Sequence, residues 1–312
     1  MRYLILSRIG AAALLMLIAS IFCFLLIVAA PGNVAILIAE LRTAQATKAD
    51  VEKIAEEYGL NDPLPVRYGR WLGDAVSGDF GFSLRSQEEV THELAVRIPT
   101  TALLMLGGGI VSLAIGVSLG LIGAMWPGGL VDEASRAVAL LFASTPKFFI
   151  GAMFILIFAV TLQWLPSFGA DKPQSWLLPC LTIGVMPGAV LSRLIRVSLE
   201  DAMSRPYAVT AKSKGFSRTR TLFHDALPNI GTILLTAFGT QFALMVQASL
   251  VVEPIFALPG VGSYFVEAAK FRDLPVVQAC LLLFAVLFIV VNLLIDLTVF
   301  VMDPKSRRLG RA

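Results

Sequence analysis

The pattern of hydrophobic positions in this chain is dominated by six long apolar stretches. They cover residues 9–30, 101–126, 137–162, 176–197, 230–252 and 276–302. A hydrocarbon core about 30 Å thick requires roughly 20 apolar residues of helix, and each stretch reaches that length. Isolated strands would leave backbone amides and carbonyls unpaired in lipid, so each stretch is expected to be helical. The pattern therefore predicts an all-α integral membrane protein with six transmembrane helices in the lipid bilayer.

The first stretch has a second interpretation, because Val28-Ala29-Ala30 resembles a signal-peptide cleavage site. The apolar region of a signal peptide has about 7–15 residues, and the stretch here is longer. A retained transmembrane helix is therefore favoured over a cleaved signal.

Composition agrees with a membrane protein. The chain is 57% hydrophobic and only 15% charged, whereas ordinary soluble domains contain about 25% charged residues. Its mean hydropathy is +0.79. The net charge of +3 is too small to indicate a nucleic-acid partner.

Residues with catalytic or metal-binding chemistry are few. Cys23, Cys180 and Cys280 lie in apolar surroundings, and no pair of them has metal-ligand spacing. His92 and His224 stand alone, and the phosphate-binding pattern Gly-x-x-x-x-Gly-Lys-Ser/Thr does not occur in the sequence. The chain is therefore expected not to be an enzyme and to hold no metal or cofactor. If ATP drives its activity, a partner subunit binds the ATP.

Basic residues indicate which loops lie in the cytoplasm, because lysine and arginine are enriched there. They precede the first span at Arg2 and Arg8, are dense between 193 and 220, and recur after Met302. Residues 31–99 instead carry 7 basic against 11 acidic residues. Both termini are therefore predicted to be cytoplasmic, and residues 31–99 extracytoplasmic.

This arrangement predicts four regions. They are an N-terminal tail with the first transmembrane helix at 1–30, an extracytoplasmic insert at 31–99, a five-helix core at 100–302 that includes a cytoplasmic segment at 198–228, and a cytoplasmic tail at 303–312. The 127–136 loop should also be cytoplasmic, although it is not basic overall, since Asp132 and Glu133 outnumber Arg136.

The insert has the pattern of packed helices. Thr47 followed by Asp50 fits a helix N-cap with an acidic partner three residues later. Apolar residues then recur at helical spacing, at Val51, Ile54, Ala55 and Tyr58, before Gly59. A second helix is expected after Asn61-Asp62-Pro63, with one face formed by Tyr68, Trp71, Leu72, Ala75 and Val76. Such an insert is either a small packed cap or a docking platform for an external protein.

A basic, glycine-punctuated segment, Tyr207-Ala-Val-Thr-Ala-Lys-Ser-Lys-Gly215, lies between the fourth and fifth stretches. Its spacing resembles the coupling-helix signature of the permease subunits of bacterial ABC importers. Ala211, Gly215, Leu227 and Pro228 match the alanine, glycine, leucine and proline of that signature. Val209 stands where the signature has an acidic residue, so the match is partial.

Other motifs resemble the dipeptide, oligopeptide and nickel branch of the same permease family. They are Tyr207-Ala208, Arg193-x-x-Arg196, the insert run between Tyr58 and Ser83, the run from Glu253-Pro254 to Pro259-Gly260-Val-Gly262, and Asp273-x-Pro-Val-Val-Gln278. Each motif alone is loose, but together they cover nearly the whole chain in the family's order.

The resemblance implies a permease subunit that forms half of a translocation pore in the bacterial cytoplasmic (inner) membrane. It also implies a second homologous permease subunit, two ATPase subunits and an extracytoplasmic substrate-binding protein. The residues that would couple to the ATPase are Tyr207, Ala208, Ala211, Lys214, Gly215, Leu227 and Pro228. The residues that would form a gate or line the pathway are Arg193, Arg196, Lys147, Glu253, Pro259, Gly260 and Gly262.

Several of these residues also fit purely structural roles. Arg193 and Arg196 share one helical face. They are expected to be either anchors at the membrane surface or part of a gate. Lys147 is intramembrane if the third span is continuous, but lies near an interface if a helix restarts at Pro146. Glu253 is either a satisfied carboxylate in a structural loop or part of an external gate, and residues 253–262 are expected not to form a regular helix.

Glycines in the second span fit either close helix packing or an interface that moves. They are Gly107, Gly108, Gly109, Gly116, Gly120 and Gly123. The competing class of protein is an ion-coupled secondary transporter or channel, for which internal repeats and midplane charges are typical. No repeat is evident in the sequence. The substrate stays open among dipeptides, oligopeptides, nickel and metal chelates.

Overall fold

A computed structural model describes residues 2–29, 35–36, 39, 47–57 and 59–302. The predictions that concern Ala30, Tyr58 and the basic tail at 303–312 lie outside the described residues. Within them the only strand-like pairing is an isolated bridge between Phe82 and Glu89. The predicted all-α class is confirmed.

The helices are introduced here in chain order. They are α1 (Arg2–Val28), α2 (Lys48–Glu57), α3 (Leu64–Ser77), α4 (Val90–Met125), α5 (Leu130–Ser144), α6 (Lys147–Phe154), α7 (Leu177–Ser204), α8 (Pro206–Ser213), α9 (Arg218–Thr221), α10 (Leu227–Asn229), α11 (Gly231–Ile255), α12 (Val261–Phe271) and α13 (Leu274–Met302). Among the described residues, five of these helices are long and apolar enough to cross a membrane, namely α1, α4, α7, α11 and α13.

The third predicted span is broken into two helices. α5 and α6 meet at an angle of 108°, and the pair counts as a sixth span if its halves are taken together. Pro146 occupies the N-cap position of α6, which continues as a π-helical stretch over Ile155–Thr161. Proline disfavours helical geometry in the residue before it, which explains why α5 stops short of Thr145. Two alternatives were open for Lys147, a continuous third span or a helix that restarts at Pro146. The structure shows the helix that restarts.

α4 and α7 form the tightest helix pair because glycines line their interface. An added Cβ at Gly116 would lie 2.7 Å from Leu191 Cβ, and one at Gly120 would lie 2.8 Å from Ile195 Cβ. On the facing helix, a Cβ at Gly188 would lie 2.9 Å from Ile115 Cβ. Close backbone approach therefore accounts for these small residues.

The insert contains α2 and α3. Thr47 caps α2, because Asp50 N donates to Thr47 Oγ1 at 3.3 Å while Thr47 N donates to Asp50 Oδ2 at 3.0 Å. The Thr47 hydroxyl, which donates to Asp50 Oδ2 at 2.6 Å, and then the Thr47 N–H hold the pKa of the Asp50 carboxyl below its usual value. α3 lies on α1, where Tyr68 and Trp71 pack against Phe24. Val76 does not belong to this partly buried face, since it is 81% exposed.

The bundle has two ends. We call the end beside the insert the insert end, and the end beside the 198–228 segment the segment end. At the insert end, Ser83 meets Asp273 and Thr101 meets Glu253. At the segment end, Arg196 meets Asp132 and the chain runs through α8, α9 and α10.

The orientation of these ends is a prediction. We expect single cysteines at Ser86 and Ser217, both exposed, to label from opposite sides of the membrane. The background would carry alanine at Cys23, Cys180 and Cys280. An impermeant maleimide added to intact cells should label the Ser86→Cys protein only. Labelling of both cysteines from outside would contradict the six-span arrangement.

Candidate coupling surface and gate

α8 is a short helix at the segment end with one buried edge. Ala208 is fully buried and Ala211 is 7% exposed. Small side chains at this spacing let α8 lie close to the bundle. The opposite face and the turn that follows are exposed, and together they contain two lysines and no acid. We call them the α8 surface. It consists of Tyr207, Val209, Thr210, Lys212, Ser213, Lys214 and Gly215.

Gly215 ends this helix in a left-handed conformation with φ +83°. Its backbone N–H donates to Lys212 O at 2.9 Å, and Phe216 N donates to Ala211 O at 3.2 Å, so the last carbonyls of α8 are satisfied. No other atom lies within 4 Å of where a Cβ would be. Glycine is therefore required here by backbone geometry, not by crowding within this chain.

The chain after Gly215 is fastened to the bundle. Ser217 caps α9 by accepting from Arg220 N at 3.3 Å. Arg218 donates to Ala124 O at 2.9 Å, one residue before α4 ends. This hydrogen bond joins the chain behind the α8 surface to the end of α4.

The other predicted coupling residues divide between surface and core. Leu227 packs against a buried cluster that contains Leu222, Ala226 and Ile230, whereas Pro228 is exposed. Tyr207 is 37% exposed, and its partial burial is the main cause that raises the pKa of its phenol above the usual value. It therefore stays neutral at physiological pH.

Arg196 and Arg193 have different surroundings although they lie on one helix. Arg196 Nε and Nη2 donate to the two carboxylate oxygens of Asp132 at 2.5 and 2.7 Å, and Asp132 is 1% exposed. Asp132 also accepts from Gly128 N at 3.0 Å. Arg193 is exposed. One of the two acidic residues that made the 127–136 loop an exception to the charge pattern, Asp132, thus serves as the partner of Arg196.

Lys147 begins α6 at the break in the third span and is half-buried. Phe148 and Phe149 beside it are 59% and 50% exposed. The structure gives Lys147 no ion-pair partner among the described residues.

Glu253 is fully buried near the insert end. Its Oε1 accepts from Thr101 Oγ1 at 2.7 Å and its Oε2 accepts from Ser263 N at 3.0 Å. Thr101 Oγ1 in turn accepts from Val261 N at 2.9 Å. The carboxylate therefore holds α4, α11 and the start of α12 together, as the structural interpretation of Glu253 requires.

The loop between α11 and α12 is shorter than the sequence suggested. The expectation that all of 253–262 is irregular is wrong at both ends, because α11 continues through Pro254 to Ile255 and α12 begins at Val261. Pro254 removes one backbone donor and its ring crowds the carbonyl four residues earlier, which is consistent with α11 ending one residue later. Pro259 is exposed, while Gly260 and Gly262 are buried against neighbouring groups.

We predict that Gly260→Ala destabilises the protein, because the new methyl group would overlap the Glu253 carboxylate. Overpacking of this kind costs about 1–3 kcal/mol. Thermal unfolding of the purified protein in detergent would measure the effect. The matched control is Gly69→Ala in α3, where nothing lies within 4 Å of the new Cβ. A Gly260→Ala protein as stable as the control would contradict the described contact.

Two groups of residues were missed by sequence reasoning. The first is Asp132, the partner of Arg196. The second is a cluster around Asp273, in which Ser83 Oγ donates to Asp273 Oδ2 at 2.5 Å and Leu84 N donates to Asp273 Oδ1 at 3.1 Å. Arg85 extends it by pairing with Glu267. Asp273 was noted only as part of a motif, and nothing in the local pattern indicates a partner 190 residues away.

Comparisons with known proteins agree with this architecture. The family model described as "Binding-protein-dependent transport system inner membrane component" matches residues 116–308. A second model, described as the N-terminal part of such membrane components, matches residues 1–105. The chain belongs to this family and is a multi-pass inner-membrane permease subunit of an ABC importer.

Individual relatives cover almost the whole chain. A "Probable peptide ABC transporter permease protein y4tP" of Sinorhizobium fredii is 37% identical over 97% of this chain and 98% of that protein. The "Glutathione transport system permease protein GsiC" of Escherichia coli K12 is 36% identical over 93% of this chain and 94% of its own length.

A solved structure supports the fold. It is the MetNI methionine ABC transporter in inward-facing conformations, whose matching chain is 17% identical to this one with a TM-score of 0.57. The match covers 67% of this chain and 96% of that chain. At this identity the likeness concerns the fold alone.

Proposed function

We propose that this permease forms half of a pore for short peptides and is driven by separate ATPase subunits that dock on the α8 surface. The observation that carries the proposal is the α8 surface itself. It is exposed and basic, it is shaped by a left-handed glycine, and Arg218 joins the chain behind it to the end of α4.

The remaining partners follow from the same proposal. A second homologous permease completes the pore, two ATPases bind at the segment end, and an extracytoplasmic binding protein delivers substrate at the insert end. Closure of the ATPases moves the α8 surface, and the Arg218 link together with the Arg196–Asp132 pair transfers that movement to α4, α5 and α7. The names of the relatives favour peptides, including glutathione, over nickel.

The test is reconstitution. The complete complex in liposomes is expected to take up a short peptide only with ATP and the loaded binding protein, while this subunit alone neither hydrolyses ATP nor transports. Uptake of nickel but not peptide by the same complex would reassign the substrate. Uptake down a gradient by the isolated subunit would instead make it a channel or secondary carrier, and the importer mechanism would fail.

A further inference from the structure

A groove at the segment end has a charge pattern that the coupling role does not use. It lies between α4, α5 and α7 and has a volume of about 810 Å³, within the range of roughly 300–1,000 Å³ that is usual for small-molecule sites. Most of its lining is apolar, including Leu119, Ala137, Leu140, Ala143, Val190 and Leu194.

Three arginines line this groove, and two of them are available to a ligand. Arg196 is committed to Asp132 and Glu200. Arg136 and Arg193 are exposed and make no hydrogen bond or ion pair with the described part of the chain. Glu133 is the acid in the lining, so available positive charge exceeds negative charge.

Both available arginines lie at the segment end of the bundle, beside the groove. Arg193 lies in the second half of α7, and Arg136 lies in the first half of α5. Guanidinium groups bind carboxylates with paired, charge-assisted hydrogen bonds.

We propose that this groove binds the carboxylate end of the transported peptide, with Arg136 and Arg193 as the binding groups and the apolar walls against the peptide's side chains. The inference rests on the proposed function and adds a residence site at the segment end of the pathway. It assigns a role to Arg136 and separates Arg193, which meets cargo, from Arg196, which positions helices.

The experiment compares two cargoes in the reconstituted complex. One is a short peptide with a free C-terminal carboxylate and the other is its C-terminal amide, both shown to load the binding protein and supplied at saturating binding protein. We expect the double variant Arg136→Gln/Arg193→Gln to lower uptake of the free acid about tenfold, the scale of a lost charge-assisted hydrogen bond, and to leave amide uptake at the wild-type level.

Two controls separate charge from shape. Arg136→Lys/Arg193→Lys keeps both charges and should retain most free-acid uptake. Arg67→Gln removes a cation in α3, outside the groove, and should affect the free acid and the amide equally. Because each variant is compared with wild type for the same cargo, the binding protein's own preference cancels.

Each other outcome overturns a stated part of the proposal. An equal loss for both cargoes means that these arginines serve the fold or a gate and do not bind carboxylate. A loss that occurs only in liposomes containing anionic phospholipid assigns the groove to a lipid headgroup. If a Val190→Cys protein is shielded from a small maleimide in the empty complex, the groove is a contact with the second permease. Failure of wild-type uptake with ATP would instead refute the proposed function.

Discussion

Replacing Gly215 with valine is expected to abolish ATP-driven uptake while the protein still inserts into the membrane. The backbone at Gly215 has φ +83°, and β-branched residues are strongly disfavoured in this region. The last turn of α8 must then rearrange, which moves Lys214 and the rest of the α8 surface. Uptake and binding-protein-stimulated ATP hydrolysis in the reconstituted complex measure the effect.

Gly215→Asn is the matched control for this experiment. Asparagine is close to valine in size but tolerates the left-handed region, so it should preserve most uptake. Nothing within this chain obstructs a side chain at this position. If asparagine and valine were equally damaging, volume on the ATPase-facing surface would be the cause in place of backbone geometry. Normal uptake by a well-expressed valine variant would show that the segment is an ordinary loop.

Asp132→Asn should be among the most destabilising conservative substitutions in the chain. It leaves the Arg196 guanidinium, whose side chain is 16% exposed, without its bidentate partner. Breaking a buried ion pair costs about 3–5 kcal/mol. We expect about 3 kcal/mol, the lower end of that range, because Glu200 stays 3.0 Å from Arg196 and is itself partly exposed. Thermal unfolding of the assembled complex in detergent would report the loss.

Two further variants test whether the loss comes from the pair. Asp132→Asn combined with Arg196→Gln removes both charges and should recover much of the stability, since no charge is left buried alone. Asp201→Asn breaks the exposed pair with Arg205 and should leave the melting temperature unchanged. Additive losses in the double variant would mean that Asp132 and Arg196 act independently.

The fold could be predicted from the sequence because the main signal, the length of each apolar stretch, is local. Apolar length alone located the five unbroken spans and the bent pair of α5 and α6. The cap formed by Thr47 and Asp50 involves residues only three positions apart. The break at Pro146 stayed open because proline fits both a kink and a helix start. Only the packing of α6 against its neighbours decides between the two.

The site was less accessible to sequence because its contacts are distant. The partner of Arg196 is 64 residues away and the partner of Glu253 is 152 residues away. A helical face could be assigned to Arg193 and Arg196 together, but only the position of α5 shows that one is paired and the other is not. The roles of the α8 residues depend on another polypeptide, so the pattern of this chain yields them only through resemblance.

The broken third span also affects how the protein is made. α5 has 15 residues, or about 22 Å of helix, which falls short of a hydrocarbon core about 30 Å thick. The break at 144–147 interrupts the helical hydrogen bonds, and helix ends at bilayer depth need protein partners for their free amides and carbonyls. α6 is covered by α7 and α11, and both are synthesised after it. We therefore expect this span to reach its final position only after the C-terminal half of the chain has entered the membrane.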